Sequence, residues 1–235
     1  MGRVFEKRKH TMFARFDRMA KAFTRIGKDI ALAVKQSGPN PDNNPKLRMA
    51  MQNAKGVNMP KDRVEAAIKR ASSKEEKDYQ EVIYEGYAPQ GVPVLVLCAT
   101  DNPTRTVANI RLHFSKNNGS MGNSGTVAFM FEHKGVFKFD PSKLNLDELE
   151  LDLIDAGAED IERGDEEIIV YTKFTDFGQM QKFLESKGLE AKSSELQYIP
   201  TTTKELPEDQ QDEVLKLIEA LEGDDDVQSV FHNLA

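Results

Sequence analysis

The sequence predicts an α+β protein: an amino-terminal helical bundle followed by two α/β, ferredoxin-like domains, the last inserted in the middle one. Three observations carry this expectation. Charge divides the chain, because residues 1–74 hold eighteen Lys and Arg against six Asp and Glu, a net of +12, while 75–235 hold fourteen against thirty-three, a net of −19. The apolar spacing changes at the same point from a helical repeat to alternation. After Lys134 the strand and helix signals follow in β-α-β-β-α-β order, the ferredoxin-like arrangement.

The basic segment reads as three helices. Met12, Phe16, Met19, Phe23, Ile26, Ile30 and Val34 recur every three or four residues, within an arc of about 80° at 100° per residue. Arg18, Lys21, Arg25, Lys28 and Lys35 fall on the opposite side. Ser37-Gly38-Pro39-Asn40-Pro41 ends this helix, with Gly38 as a left-handed cap and the prolines preventing continuation. Asn44-Pro45 then reads as an N-cap followed by Pro at the first helical position, with Leu47, Ala50, Met51 and Ala54 as the apolar edge. Pro60 is expected to open the third helix in the same way, with Asp62 in its first turn and Val64, Ala67, Ile68 and Ala71 buried. Residues 72–78 lack a periodic apolar pattern and read as a linker.

In the acidic segment, 81–87 and 92–97 are expected strands joined at Ala88-Pro89-Gln90-Gly91, 106–116 a helix, and 126–131 a third strand. The ferredoxin-like unit follows: strand 135–139, helix 146–156, strands 160–162 and 168–171, helix 177–186 and strand 195–199. The tail adds a helix at 207–221 and a strand at 227–231 with no neighbours in sequence to pair with. This places the domains at 1–74, at 79–132 with 201–235, and at 133–200 as the insertion.

Composition narrows the function. A single cysteine, Cys98, lies within the apolar run Val94–Cys98, which excludes a disulfide framework within the chain and points to a reducing compartment. The amino terminus lacks the apolar run of a signal peptide, and no stretch reaches the ~20 apolar residues of a membrane span, so a cytoplasmic protein is expected. His10, His113, His133 and His232 are scattered without metal-ligand spacing, and nucleophile elbow, Walker loop and cysteine cluster are all missing. Asp224-Asp225-Asp226 reads as an acidic turn between a helix and a strand. The expectation is a non-enzyme without cofactor, metal or small-molecule substrate.

A segment of net +12 in an acidic chain suits a phosphate-rich partner, because clustered Lys and Arg gain affinity by releasing condensed counterions. The candidate nucleic-acid contacts are Arg8, Lys9, Arg15, Arg18, Lys21, Arg25 and Lys28 on the first helix. Lys46, Arg48, Lys55, Lys61, Arg63, Lys69 and Arg70 on the next two complete the set. Asn102, Thr104 and Arg105, at a strand-to-helix junction, with Lys116, form a candidate secondary anion site, against ordinary capping with a solvated Arg105. The polar, Gly-rich loop 117–124 reads as a connector or a partner contact. The long, proline-rich connection between the first two helices argues against a helix-turn-helix, and no exposed stacking aromatic stands out to favour RNA.

Asn44-Pro45-Lys46-Leu47-Arg48, Asn58-Met59-Pro60-Lys61-Asp62, Ala66-Ala67-Ile68-Lys69-Arg70 and Tyr84-Glu85-Gly86-Tyr87 resemble motifs of the YebC/PmpR family. So do the stretch from Thr100 to Thr106, Phe114-Ser115-Lys116-Asn117, Gly125-Thr126-Val127-Ala128-Phe129 and the closing Asp226–Asn233, in matching order. The resemblance implies a helical amino-terminal domain before two α/β domains. It also implies a regulator of gene expression, acting either by DNA binding at promoters or on the ribosome during synthesis of difficult peptides such as proline runs. Most members open with Gly-His-Ser-Lys-Trp; this chain has Gly2-Arg3-Val4-Phe5-Glu6 and no Trp. The expected partners are thus ribosomal RNA or duplex DNA, with the ribosome or the transcription machinery.

Overall fold

Helical periodicity gives way to strand pairing at the linker, and the chain divides there into Met1–Lys77 and Asp78–Ala235. The computed structural model describes the backbone of residues 3–73 and 78–235 and the side chains of 19–73 and 78–235. The side chains of Met12 and Phe16 of the expected stripe, and part of the linker, lie outside what is described.

In the first unit α1 (Arg3–Ser37), α2 (Pro45–Gly56) and α3 (Lys61–Ala71) follow one another, with a 3-10 turn at Pro41–Asn43. Both α2 and α3 pack along α1. Ile26, Ile30 and Val34 of α1 are buried, as are Leu47, Ala50 and Ala54 of α2 and Val64, Ala67 and Ala71 of α3. A fully buried Leu such as Leu47 contributes about 2 kcal/mol through removal of its surface from water. Gly38, at φ +83°, ends α1 and donates its N–H to the Val34 carbonyl at 2.7 Å, the left-handed conformation that glycine adopts without steric cost.

Asn44 fixes the hairpin between α1 and α2. Its Oδ1 accepts from the Leu47 N–H at 3.0 Å, capping α2, while Nδ2 donates to the Ala33 and Gly38 carbonyls at 2.7 and 2.8 Å. One buried side chain therefore joins the end of α1, its cap and the start of α2. Pro60 precedes α3 as its N-cap residue instead of opening it, because the chain enters from Asn58 in a left-handed conformation at φ +55°.

The second unit contains two antiparallel four-stranded sheets. The first has the order β3-β1-β2-β8, from β1 (Gln80–Ala88), β2 (Val92–Thr100), β3 (Ser120–Met121) and β8 (Val227–His232). Its Tyr84, Val94, Val96 and Cys98 pack with Ile110 and Phe114 of α4 (Pro103–Lys116) and with Leu217 and Leu221 of α7 (Glu208–Glu222). The tail strand β8 lies beside β2, with Val94 opposite His232 and a bulge between Leu97 and Cys98. Gly86 permits the close approach of β3: a Cβ there would stand 2.5 Å from the Ser120 carbonyl oxygen and 2.8 Å from the Phe114 ring.

The second sheet has the order β5-β6-β4-β7. Its elements are β4 (Phe131–Phe139), α5 (Leu146–Asp155), β5 (Ala158–Arg163), β6 (Ile168–Lys173), α6 (Phe177–Lys187) and β7 (Ser193–Pro200). The first and third strands of this β-α-β-β-α-β series are central, and Phe137 stacks on Phe177 of α6 at 4.8 Å. The expected strand at 126–131 is not formed. A 3-10 turn occupies Ala128–Met130, and a single strand begins at Phe131. The alternation of Val127, Phe129 and Phe131 that suggested a strand hides a turn that buries the outer two and expels the middle one.

Candidate nucleic-acid interface

Between residues 19 and 73 there are eleven Lys and Arg against four Asp and Glu, so the carboxylates of this segment cannot neutralise its cations. Lys46, Lys55, Lys61, Arg63, Lys69 and Arg70 are exposed, and Lys21, Arg25 and Arg48 are half-buried. On α3 the buried positions leave Arg63 and Arg70, seven residues apart, along one margin of the helix. The Arg63 guanidinium lies over the Phe23 ring of α1 at 5.6 Å, which orients it by a cation–π contact. Arg8, Lys9, Arg15 and Arg18 belong to α1, but their side chains lie outside the described residues.

Two of the expected contacts have other surroundings. Lys28 is only 8% exposed, so it does not stand on an open cationic face. Two helices pack along α1, so the covered arc is wider than the apolar stripe and takes in the Lys28 stem. Arg48 donates through Nη1 to the Pro41 and Asp42 carbonyls at 2.7 and 3.0 Å, holding the 3-10 turn. Lys61 forms an exposed i,i+4 pair with Glu65 at 3.6 Å, the kind worth a few tenths of a kcal/mol.

At the start of α4, Asn102 is the N-cap and accepts from the Arg105 N–H at 3.1 Å. Arg105 is not simply solvated. Its Nη2 donates to Asp101 at 2.8 Å and to Asp226, just before β8, at 2.7 Å. Donation to Asp226 and to Asp101 raises the Arg105 pKa further above its ordinary value. Asp226 is buried and also accepts from the Thr106 and Thr100 hydroxyls at 2.8 and 3.3 Å. The acidic turn is likewise internally engaged: Asp224 caps the Asp226 N–H at 2.9 Å and faces His113 Nε2 at 3.3 Å. Thr104 is exposed in the first turn of α4. Lys116 stands at the other end of that helix, about 16 Å away at 1.5 Å per residue, so the four expected residues do not form one site.

Cations of the second sheet's domain are similarly committed. Lys134 pairs with Glu132 at 3.0 Å and Glu159 at 3.4 Å, Lys187 with Asp152 at 2.7 Å, and Arg163 with Asp147 and Glu150, each at 2.7 Å. Among the described residues no group of His, Cys, Asp and Glu is arranged to hold a metal ion, and no helix is long and apolar enough to cross a membrane.

The Gly-rich loop is held from inside. Glu85 of β1 is 5% exposed, and its carboxylate accepts from the N–H groups of Gly125 at 2.6 Å, Val127 at 2.7 Å and Ala128 at 2.9 Å. Burial pushes this carboxyl upward, but those backbone donors outweigh it and hold the pKa below the usual glutamate value. The adjacent Phe129 is 73% exposed. A second aromatic group runs across one end of the other sheet: Phe174, 50% exposed, stacks on His133 at 4.5 Å, and His133 on Tyr198 at 4.5 Å. Exposed aromatics are therefore present. Sequence pattern missed Phe129 because it sits where alternation mimics a strand, and Phe174 because a turn follows β6.

The chain belongs to the TACO1/YebC family: residues 3–74 match the model of the TACO1/YebC protein N-terminal domain, and 79–234 that of the TACO1/YebC second and third domain. Relatives named "Probable transcriptional regulatory protein" come from Anaeromyxobacter dehalogenans, 58% identical, and Myxococcus xanthus, 56% identical, each alignment covering 100% of both chains. The crystal structure of the conserved hypothetical protein Aq1575 from Aquifex aeolicus is similar, with a TM-score of 0.82 and 38% identity over 92% of this chain and 90% of that one.

Proposed function

We propose that the protein is a nucleic-acid-binding regulator of gene expression whose amino-terminal unit grips a phosphate backbone, with structured RNA of the ribosome as its target, so that it assists synthesis of difficult peptides such as proline runs. The observation that carries this reading is the excess of eleven cations over four carboxylates in residues 19–73, beside an acidic unit where Arg105, Lys134, Arg163 and Lys187 are engaged by carboxylates. Phosphate contacts position a protein and give salt-dependent affinity without reading sequence. The α1–α2 connection, locked by Asn44 and Arg48, differs from the tight turn of a helix-turn-helix, which favours recognition of a shape over reading of a groove.

A second reading, a promoter-binding regulator, draws on the name "Probable transcriptional regulatory protein" borne by the relatives. Sedimenting cell extract through sucrose at low and moderate salt separates the two. Travel with ribosomes, weakened by salt, supports the first reading. Protection of one promoter sequence by protein that stays at the top of the gradient supports the second and overturns the first.

A further inference from the structure

Phe129 is the most exposed aromatic ring among the described residues, and it is not on a loose loop. Its flanks Val127 and Phe131 are buried, at 0% and 7% exposure. The backbone before it is fastened to Glu85 by three N–H groups, and the Met130 carbonyl behind it accepts from both the N–H and the hydroxyl of Thr201, at 2.9 and 3.1 Å. An exposed ring held from both sides loses little conformational freedom on binding, which is the condition for an efficient contact.

Charge says what it contacts. Residues 117–131 are fifteen in succession without a charged side chain, in a chain where 30% of residues are charged and in a unit of net −18. Glu85, whose carboxylate holds this loop, is buried and turned onto backbone donors, and Glu132, which ends the uncharged stretch, is paired with Lys134 at 3.0 Å. The exposed neighbours are amides and hydroxyls, Asn123, Ser124 and Thr201. A polyanion thus meets less repulsion here than an average acidic surface would offer. A protein partner is less favoured, because a stable interface needs about 800 Å² per side around its anchors, and the apolar neighbours of this ring, Ala128 and Met130, are partly buried while Asn123, Ser124 and Gly125 are exposed.

We infer that Phe129 is a stacking platform for an unpaired nucleobase, with the neighbouring amide and hydroxyl side chains available to its edges. The inference rests on the nucleic-acid reading above and deepens it: phosphate affinity lies in the amino-terminal unit, and Phe129 adds recognition of unstacked bases.

The absence of Trp makes the test direct. In full-length protein Phe129→Trp places a single indole at the platform, and high exposure means that neither this change nor Phe129→Ala should disturb the fold. The probes are a short single-stranded oligoadenylate and an abasic oligomer with the same number of phosphates, with binding followed by anisotropy of the labelled strand. The expected result is quenching of the indole on binding oligoadenylate but not the abasic strand. Phe129→Ala should weaken oligoadenylate binding about tenfold, as loss of one stacked base predicts, and leave the abasic strand unaffected. Tight binding of oligoadenylate with no quenching and no effect of Phe129→Ala would overturn the platform, assign the ring to a protein contact and leave the nucleic-acid reading standing. Failure of the wild-type chain to bind either strand or structured RNA would overturn both.

Discussion

At the scale of single residues, two buried polar side chains organise the protein. Asn44 satisfies three backbone groups at once, so Asn44→Ala removes a cap and orphans two carbonyls. The first unit should lose about 2–3 kcal/mol, measured by denaturant unfolding. Asn44→Asp should recover only the capping part, since a carboxylate cannot donate. Glu85 carries a pH dependence whose sign follows from its lowered pKa in the fold. The stability it contributes is present above the unfolded glutamate value of about 4.3 and is lost as pH falls through the lower folded value. Relative to its intrinsic rate, amide exchange at Gly125, Val127 and Ala128 should therefore accelerate in acid below that value. In Glu85→Gln it should be fast already at neutral pH, and exchange unchanged by that substitution would show that the loop holds itself.

Among the elements, the helices were legible in the sequence because each has a periodic stripe bounded by Gly, Asn or Pro. The turn at 128–130 was not, because Val127, Phe129 and Phe131 alternate as a strand would, while the donor acceptance that bends them comes from Glu85, forty residues earlier. The expected grouping of Asn102, Thr104, Arg105 and Lys116 divides, with Lys116 at the far end of α4, and the surroundings of Arg105 were hidden for a similar reason. The carboxylate that engages Arg105 is Asp226, 121 positions later, and sequence proximity carries no sign of it. Asp226→Asn keeps the shape but removes the charge and one acceptor shared by Arg105, Thr100 and Thr106. It should cost about 1–3 kcal/mol and loosen β8 from β2, read as faster amide exchange along β8. The basic face was legible as a composition and only partly as a geometry: Lys28 and Arg48 have positions that charge counting cannot distinguish from Lys46 or Lys69. Replacing Lys69 and Arg70 with Gln preserves helix propensity and should lower the salt slope of RNA binding by about 1–2 units. An unchanged slope would place the contacts elsewhere on the unit.

Across the whole molecule, the tail closes a sheet opened more than a hundred residues before it, with β8 paired to β2 and the β4–β7 sheet formed between them in sequence. We propose that this second sheet and its helices are an autonomous insertion. A chain ending after Thr203 should then lose cooperative unfolding of the first sheet, while residues 131–200 made alone should still fold; two intact transitions in the truncated chain would argue against it. If phosphate affinity resides in the amino-terminal unit, then residues 1–77, residues 78–235 and the full chain will differ in binding to one structured RNA over a range of salt. Residues 1–77 should bind with a steep inverse dependence on salt and more tightly than the full chain at low salt, and 78–235 should bind negligibly. Affinity retained in 78–235 and lost from 1–77 would contradict that placement.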